Sequence, residues 1–227
     1  MKRIYIDEDP SGSVQLPDDI HHYLKNVLRA KEGEPLGILT PTSFCEGVLE
    51  RMENRKSFIS ITSKRPVVKP GYRLSVYQCA LKREYMDFAV EKYAELGATE
   101  IIPVYSSRSL RELKDKTLAR FGDISLKAVL QSENEHLPVI HEPCRIEDIE
   151  ADNADRLLFY EREGESRGLG LTSRDVAMII GPEGGFEPEE AEMLKGKGFR
   201  SVSPFKPILK AETAAVVFTG LVRMELE

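Results

Sequence analysis

Two short runs, Arg156-Leu157-Leu158-Phe159-Tyr160 and Val176-Ala177-Met178-Ile179-Ile180, constrain the fold of this chain most. Each is apolar almost throughout, the pattern of a parallel strand buried on both faces, and neither shows the alternation of a half-exposed strand. Parallel neighbours need long crossover connections, so helices must cover the sheet that holds them. The sequence upstream supplies such a unit. Residues 73–81 read as a strand, residues 85–96 as a helix closed by Gly97, and residues 100–105 as the returning strand. A longer helical pattern spans residues 114–131, with a break expected near Gly122. The expected class is α/β with a mostly parallel sheet.

Before residue 70 the pattern differs. Short β-rich pieces at residues 3–6, 34–39, 46–52 and 57–62 surround one helix, whose stripe is Ile20, Tyr23, Leu24, Val27 and Leu28 behind Asp18-Asp19. A small barrel with a single helix fits. The stretch Lys64-Arg65-Pro66-Val67-Val68-Lys69-Pro70-Gly71 reads as a connection, so two domains are expected, residues 1–70 and 71–227.

The 227 residues, 41% hydrophobic and 31% charged, suit a globular chain, and no stretch reaches the roughly 18 to 20 apolar residues of a membrane span. The first residues lack a signal-peptide pattern, so a cytoplasmic protein is expected. Cys45, Cys79 and Cys144 are far apart, and the four histidines have no ligand spacing, so no metal site is expected. A net charge of −6 argues against a simple nucleic-acid binder, yet residues 1–70 hold eleven Lys or Arg against ten Asp or Glu. RNA contact through that part is permitted.

After the second apolar run comes Gly181-Pro182-Glu183-Gly184-Gly185-Phe186-Glu187-Pro188-Glu189-Glu190. A buried strand ends, a glycine-rich turn follows, and a helix opens with carboxylates in its first turn, where the macrodipole favours them. Ligands of open α/β sheets bind at such strand ends. The spacing matches neither phosphate-cradling glycine motif, and the carboxylates disfavour a pyrophosphate. A neutral or cationic ligand, such as the sulfonium of S-adenosylmethionine, suits it better. A second element, Ser203-Pro204-Phe205-Lys206-Pro207-Ile208-Leu209-Lys210, leads into a final segment, residues 211–227, that is apolar over much of its circumference. Such a helix is deeply buried or forms a subunit contact.

Together the two elements, I-I-G-P-E-G-G-F-x-x-x-E at residues 179–190 and I-L-K-x-E-T-A at residues 208–214, resemble the signature of the 16S rRNA uridine-N3 methyltransferases. This is the ribosomal small subunit methyltransferase E family of the SPOUT superfamily. The resemblance extends to His21-His22-Tyr23-Leu24, Val27-Leu28-Arg29, Met86-Asp87, Lys92, Glu95-Leu96-Gly97, Ile101-Ile102-Pro103 and Ser107-Arg108-Ser109, and so covers essentially the whole chain. This chain departs from the family pattern in having Pro204-Phe205 for Leu-Gly, Pro207 and Lys210 for Arg, and Glu133-Asn134 for Gly-Arg.

The resemblance implies an N-terminal PUA-like barrel for RNA, a C-terminal SPOUT domain with a trefoil knot, a homodimer, and small-subunit ribosomal RNA as partner. It places S-adenosylmethionine among three loops, against Tyr160, Glu161, Ile180, Gly181, Pro182, Glu183, Gly184, Gly185, Ser203, Pro204, Ile208, Leu209, Lys210, Thr213 and Ala214. Two residues are candidates for the chemistry. Arg108 is a cation for the uracil oxygens or a surface arginine with an acidic neighbour. Glu212 is a proton acceptor or a helix cap. Two other readings stand beside this one, a non-catalytic RNA-binding protein of the same fold and an α/β enzyme acting on a small molecule.

Overall fold

The structure, a computed structural model, describes residues 1–109, 113, 115–160 and 168–227. Its contacts divide the chain into two units, Met1–Lys69 with Leu130–Glu135, and Pro70–Val129 with His136–Glu227.

The first unit is built on β1 (Lys2–Tyr5), β2 (Ser13–Gln15), β3 (Pro35–Leu39), β4 (Ser43–Glu53) and β5 (Lys56–Pro66), in the order β1-β3-β4-β5-β2. β1 is parallel to β3 and the other pairs are antiparallel, so the sheet is mixed, and its pairing leaves β1 and β2 as edges. Its hydrogen bonding is that of an open sheet, where the sequence suggested a barrel. Ile4, Leu24, Leu36, Ile38, Leu49 and Ile59 form its core. The helix α1 (Asp18–Tyr23) starts after Pro17 and continues as a π-helical turn, Leu24–Leu28. Asp18 and Asp19 therefore sit in the first turn and do not cap it. The expected apolar stripe fails at Val27, which is 61% exposed. The wider π turn carries that position round to solvent. No sequence pattern marks β2, whose three residues are too few to alternate.

Residues 133–135 are fastened within this unit. Arg3 donates to the Glu133 carbonyl at 2.7 Å, and Arg65 pairs with the Glu135 carboxylate. Glu133 has a left-handed φ of 63°, which residues other than glycine seldom adopt. Its carboxylate accepts the N-terminal amine of Met1 at 3.2 Å and so is tied at both backbone and side chain.

The second unit carries a parallel sheet. Its strands are β6 (Arg73–Cys79), β7 (Glu100–Tyr105), β8 (Val139–Ile140), β9 (Cys144–Arg145), β10 (Asp155–Phe159), β11 (Asp175–Ile180) and β12 (Arg200–Val202). Among the described residues the order is β12-β10-β11-β6-β7-β8, with β9 also against β7. Both apolar runs are central strands, in register from Asp155 opposite Val176 to Phe159 opposite Ile180. Alternate residues serve opposite faces. Leu157, Phe159, Val176, Met178 and Ile180 pack with residues of α2 (Arg83–Glu95) and α5 (Ala211–Leu226). Leu158, Tyr160, Ala177 and Ile179 pack with Phe186 and with Ala191 and Leu194 of α4 (Pro188–Gly196). Two buried faces explain why the runs never alternate.

The long helix α3 (Asp115–Ser132) runs unbroken through Gly122, contrary to the expected break. Gly122 is exposed, and Phe121, Ser125, Ala128 and Val129 bury one continuous face beside it. That burial offsets the cost of about 1 kcal/mol for a helical glycine. Among the described residues, no helix is long and apolar enough to cross a membrane.

Candidate active site

Because the strands of the second unit all run one way, the chain leaves β10, β11 and β12 at a common edge. A pocket of about 220 Å³ opens there. Three stretches wall it: Tyr160 after β10, residues 181–186 after β11, and residues 203–205 and 207–209 after β12. Phe159, Ile180, Val202, Ala211, Ala214 and Phe218 complete the lining.

The structure thus gathers Tyr160, Ile180, Gly181, Pro182, Glu183, Gly184, Gly185, Ser203, Pro204, Ile208, Leu209 and Ala214 around one cavity. Lys210 and Thr213 lie beside it, exposed, and do not line it. Glu161 lies outside the described residues. Glu212 is half-buried in the first turn of α5 and is not among the residues that line the pocket. Its charge complements the helix dipole there.

The carboxylates of the glycine-rich loop have partners within the protein. Glu183 accepts the backbone N–H of Lys82, just before α2, at 2.9 Å. Glu187 and Glu190 form a reciprocal capping box at the start of α4. Glu190, buried, also accepts the N–H of Ser107 at 2.8 Å. Arg108 donates through Nε to Glu187 at 2.7 Å and through Nη1 to the Gly184 carbonyl at 2.6 Å. These charges shape the loop. They are spent on neighbouring elements and need not all face a ligand, as the sequence alone suggested.

Glycine is required at specific points. Gly185 has a φ of 69° and closes a turn onto the Pro182 carbonyl at 2.9 Å. A Cβ on Gly181 would approach the Phe186 ring to 3.1 Å, and one on Gly184 would approach Arg108 Cδ to 3.2 Å. At Gly184, therefore, the space for a side chain is taken by Arg108.

The sequence reading missed the aromatic part of the lining. Phe159 stacks on Phe218 with centroids 3.9 Å apart, Phe205 lies 6.2 Å from Phe218, and Phe186 meets Tyr160 edge-on. Phe159 and Phe218 look like ordinary core residues in the sequence, and only the stacking reveals a wall. Behind the loop, fully buried Gln78 accepts a hydrogen bond from Tyr93 and donates to the Cys79 carbonyl at 2.8 Å. Burial pushes the thiol of Cys79 above the ordinary cysteine range. Among the described residues, no group of three or more His, Cys, Asp or Glu is placed to hold a metal ion.

The pocket suits a ligand with a flat apolar part and a polar or cationic part. Aromatic rings line one portion, and the glycine-rich loop of residues 181–185 lines another.

Comparison with known proteins agrees with this geometry. Residues 69–223 match the RNA methyltransferase domain family. The Ribosomal RNA small subunit methyltransferase E of Rickettsia conorii is 30% identical, over 98% of this chain and 95% of its own length. The solved Ribosomal RNA small subunit methyltransferase E of Neisseria gonorrhoeae, bound to S-adenosyl methionine, is 26% identical with a TM-score of 0.88, covering 99% of this chain and 98% of its own. A Legionella pneumophila structure with bound SAM is 25% identical, covers 99% of this chain and 97% of its own, and has a TM-score of 0.87.

Proposed function

This chain belongs to the RNA methyltransferase family, and from that premise we propose that it methylates N3 of a uridine in small-subunit ribosomal RNA. It is an S-adenosylmethionine-dependent ribosomal RNA methyltransferase. One observation carries the reading: three separate segments, after β10, β11 and β12, converge on a single pocket at the sheet edge. The relative from Neisseria gonorrhoeae, alike over nearly its whole length, is bound to S-adenosyl methionine.

S-adenosylmethionine supplies a methyl group already activated on a sulfonium. The task left to the protein is alignment, which in favourable cases lowers a barrier by roughly 7 to 11 kcal/mol. In our reading the Phe159–Phe218 stack and Tyr160 hold the flat adenosine part, and the tethered loop of residues 181–185 fixes the other end.

In the same reading the first unit is a PUA-like RNA module and residues 71–227 form a SPOUT domain with a trefoil knot. The strand order β12-β10-β11-β6-β7, with α5 packed on both α2 and β11, supports the SPOUT reading. A homodimer is supported by α5, where Val216, Val217 and Leu221 are half-buried and Met224 is 74% exposed. The cytoplasm is the compartment that this substrate requires.

The test is direct. Protein incubated with labelled S-adenosylmethionine and under-modified small-subunit RNA should yield N3-methyluridine on nucleoside analysis. Label at another atom would overturn the assignment to N3, and no label in RNA would overturn the activity.

A further inference from the structure

The glycine-rich loop is stapled by a side chain that does not line the pocket, and we propose that Arg108, set by Glu187, is a positioning residue for the cofactor. This inference rests on reading the pocket as the S-adenosylmethionine site.

The guanidinium spans a turn. Its Nη1 holds the Gly184 carbonyl at 2.6 Å and its Nε holds the Glu187 carboxylate at 2.7 Å, so one planar group grips both ends of residues 184–187. Between those ends lies Gly185, whose left-handed φ of 69° turns the chain. The aliphatic stem of Arg108 takes part as well. A Cβ on Gly184 would lie 3.2 Å from its Cδ and 3.6 Å from its Cβ, so stem and loop backbone are in contact.

A second anchor sits next to the first. The N–H of Ser107 donates to Glu190 Oε1 at 2.8 Å, while Glu190 Oε2 accepts the N–H of Glu187 at 2.9 Å. Ser107 and Arg108 thus dock on the two members of one capping box. The turn they belong to is itself closed, with the Ser106 N–H donating to Ser109 Oγ at 3.0 Å and the Ser109 N–H to the Ser106 carbonyl at 3.0 Å. Both partners of the Arg108–Glu187 pair are about one-third exposed, so the pair taken as a bare ion pair holds little. Its effect lies in geometry. A guanidinium presents several donors in a fixed plane and serves a carboxylate and a carbonyl together, whereas a lysine ammonium is a point charge on a flexible stem. Arg108 therefore acts on the cofactor through the Gly184 peptide.

The experiment compares wild type, Arg108→Lys, Glu187→Gln and the double variant. Glu187→Gln keeps an oxygen for the helix cap and removes the charge that orients Arg108. Calorimetry gives the dissociation constant for S-adenosylmethionine, turnover on small-subunit RNA gives KM and kcat, and thermal melting reports the fold. Each single variant is expected to raise the Kd and KM for S-adenosylmethionine about tenfold. Each should leave kcat within about twofold, and the double variant should bind no worse than the weaker single one, because both break the same staple. Arg108→Lys with unchanged affinity and a collapsed kcat would overturn the proposal and place the guanidinium at the target base. Glu187→Gln with wild-type affinity would overturn it too, as would a variant that melts earlier yet binds S-adenosylmethionine normally when folded. Wild-type protein that does not bind S-adenosylmethionine would instead reject the reading of the pocket.

Discussion

The pocket wall after β11 is fastened by hydrogen bonds, whereas the wall after β12 is shaped by rings and prolines. In the first, Gly184 and Glu183 are each held by a different element, through Arg108 and the Lys82 N–H. In the second, Pro204 and Pro207 restrict the backbone, Phe205 leans on Phe218, and Ile208 is 75% exposed. The difference teaches how one site combines two needs. A wall fixed by directional contacts presents its backbone groups at set positions, which supports selection of a polar ligand, while a wall of apolar contacts tolerates small shifts as substrate enters.

Substitutions can break this contrast. The largest effect is expected for Gly184→Val, whose side chain would collide with the Arg108 stem and displace the fixed wall. S-adenosylmethionine binding should weaken about a hundredfold by calorimetry. Normal binding would show that this wall can move freely. Phe218→Ala removes the ring between Phe159 and Phe205. It should lower stability by about 2 to 3 kcal/mol in denaturant unfolding and cut affinity about tenfold. Ile208→Ser, on the exposed part of the second wall, should change affinity by less than about threefold. A larger loss would mean that this wall closes tightly on the ligand.

Acid provides the smallest effect and a control. Hydrogen bonds from Thr40, Lys64, Thr42 and Ser43 hold the Asp9 carboxyl in the first unit well below the ordinary carboxylate range. A depressed folded-state value means that the stabilisation is complete above the unfolded value of about 3.9 and is lost as pH falls below it. Melting temperature against pH should therefore drop more steeply in acid for wild type than for Asp9→Asn. Affinity for S-adenosylmethionine at neutral pH should be the same in both, since both pocket walls belong to the second unit.

Much of the first wall could be read from residue order. Glycines after a doubly buried strand and acids before a helix are local signals, and they mark where β11 ends and α4 begins. Where those acids point could not be read, because Glu183 and Glu187 find partners 101 and 79 residues away. The second wall was legible only through its pairing with the first, and the rings of Phe159 and Phe218 beside it were not, since they have the composition of a core. Local rules also misjudged places where packing decides. Gly122 stays helical because its neighbours bury a face, and Val27 turns outward because a π turn replaces an α turn. Strands of two or three residues, such as β2, β8 and β9, are too short to carry a period.

The long reach of those tethers has a consequence for how the site comes into being. Closing loops of 76 and 101 residues carries an entropic cost that must be met by other contacts first, chiefly the pairing of β6 with β7 and β11. The glycine-rich turn cannot acquire its working shape as an autonomous local motif during folding. A fragment starting at residue 168 would hold every glycine of that turn and neither of its distant anchors, Lys82 and Arg108. Competence to bind is thus among the last properties the folding chain acquires.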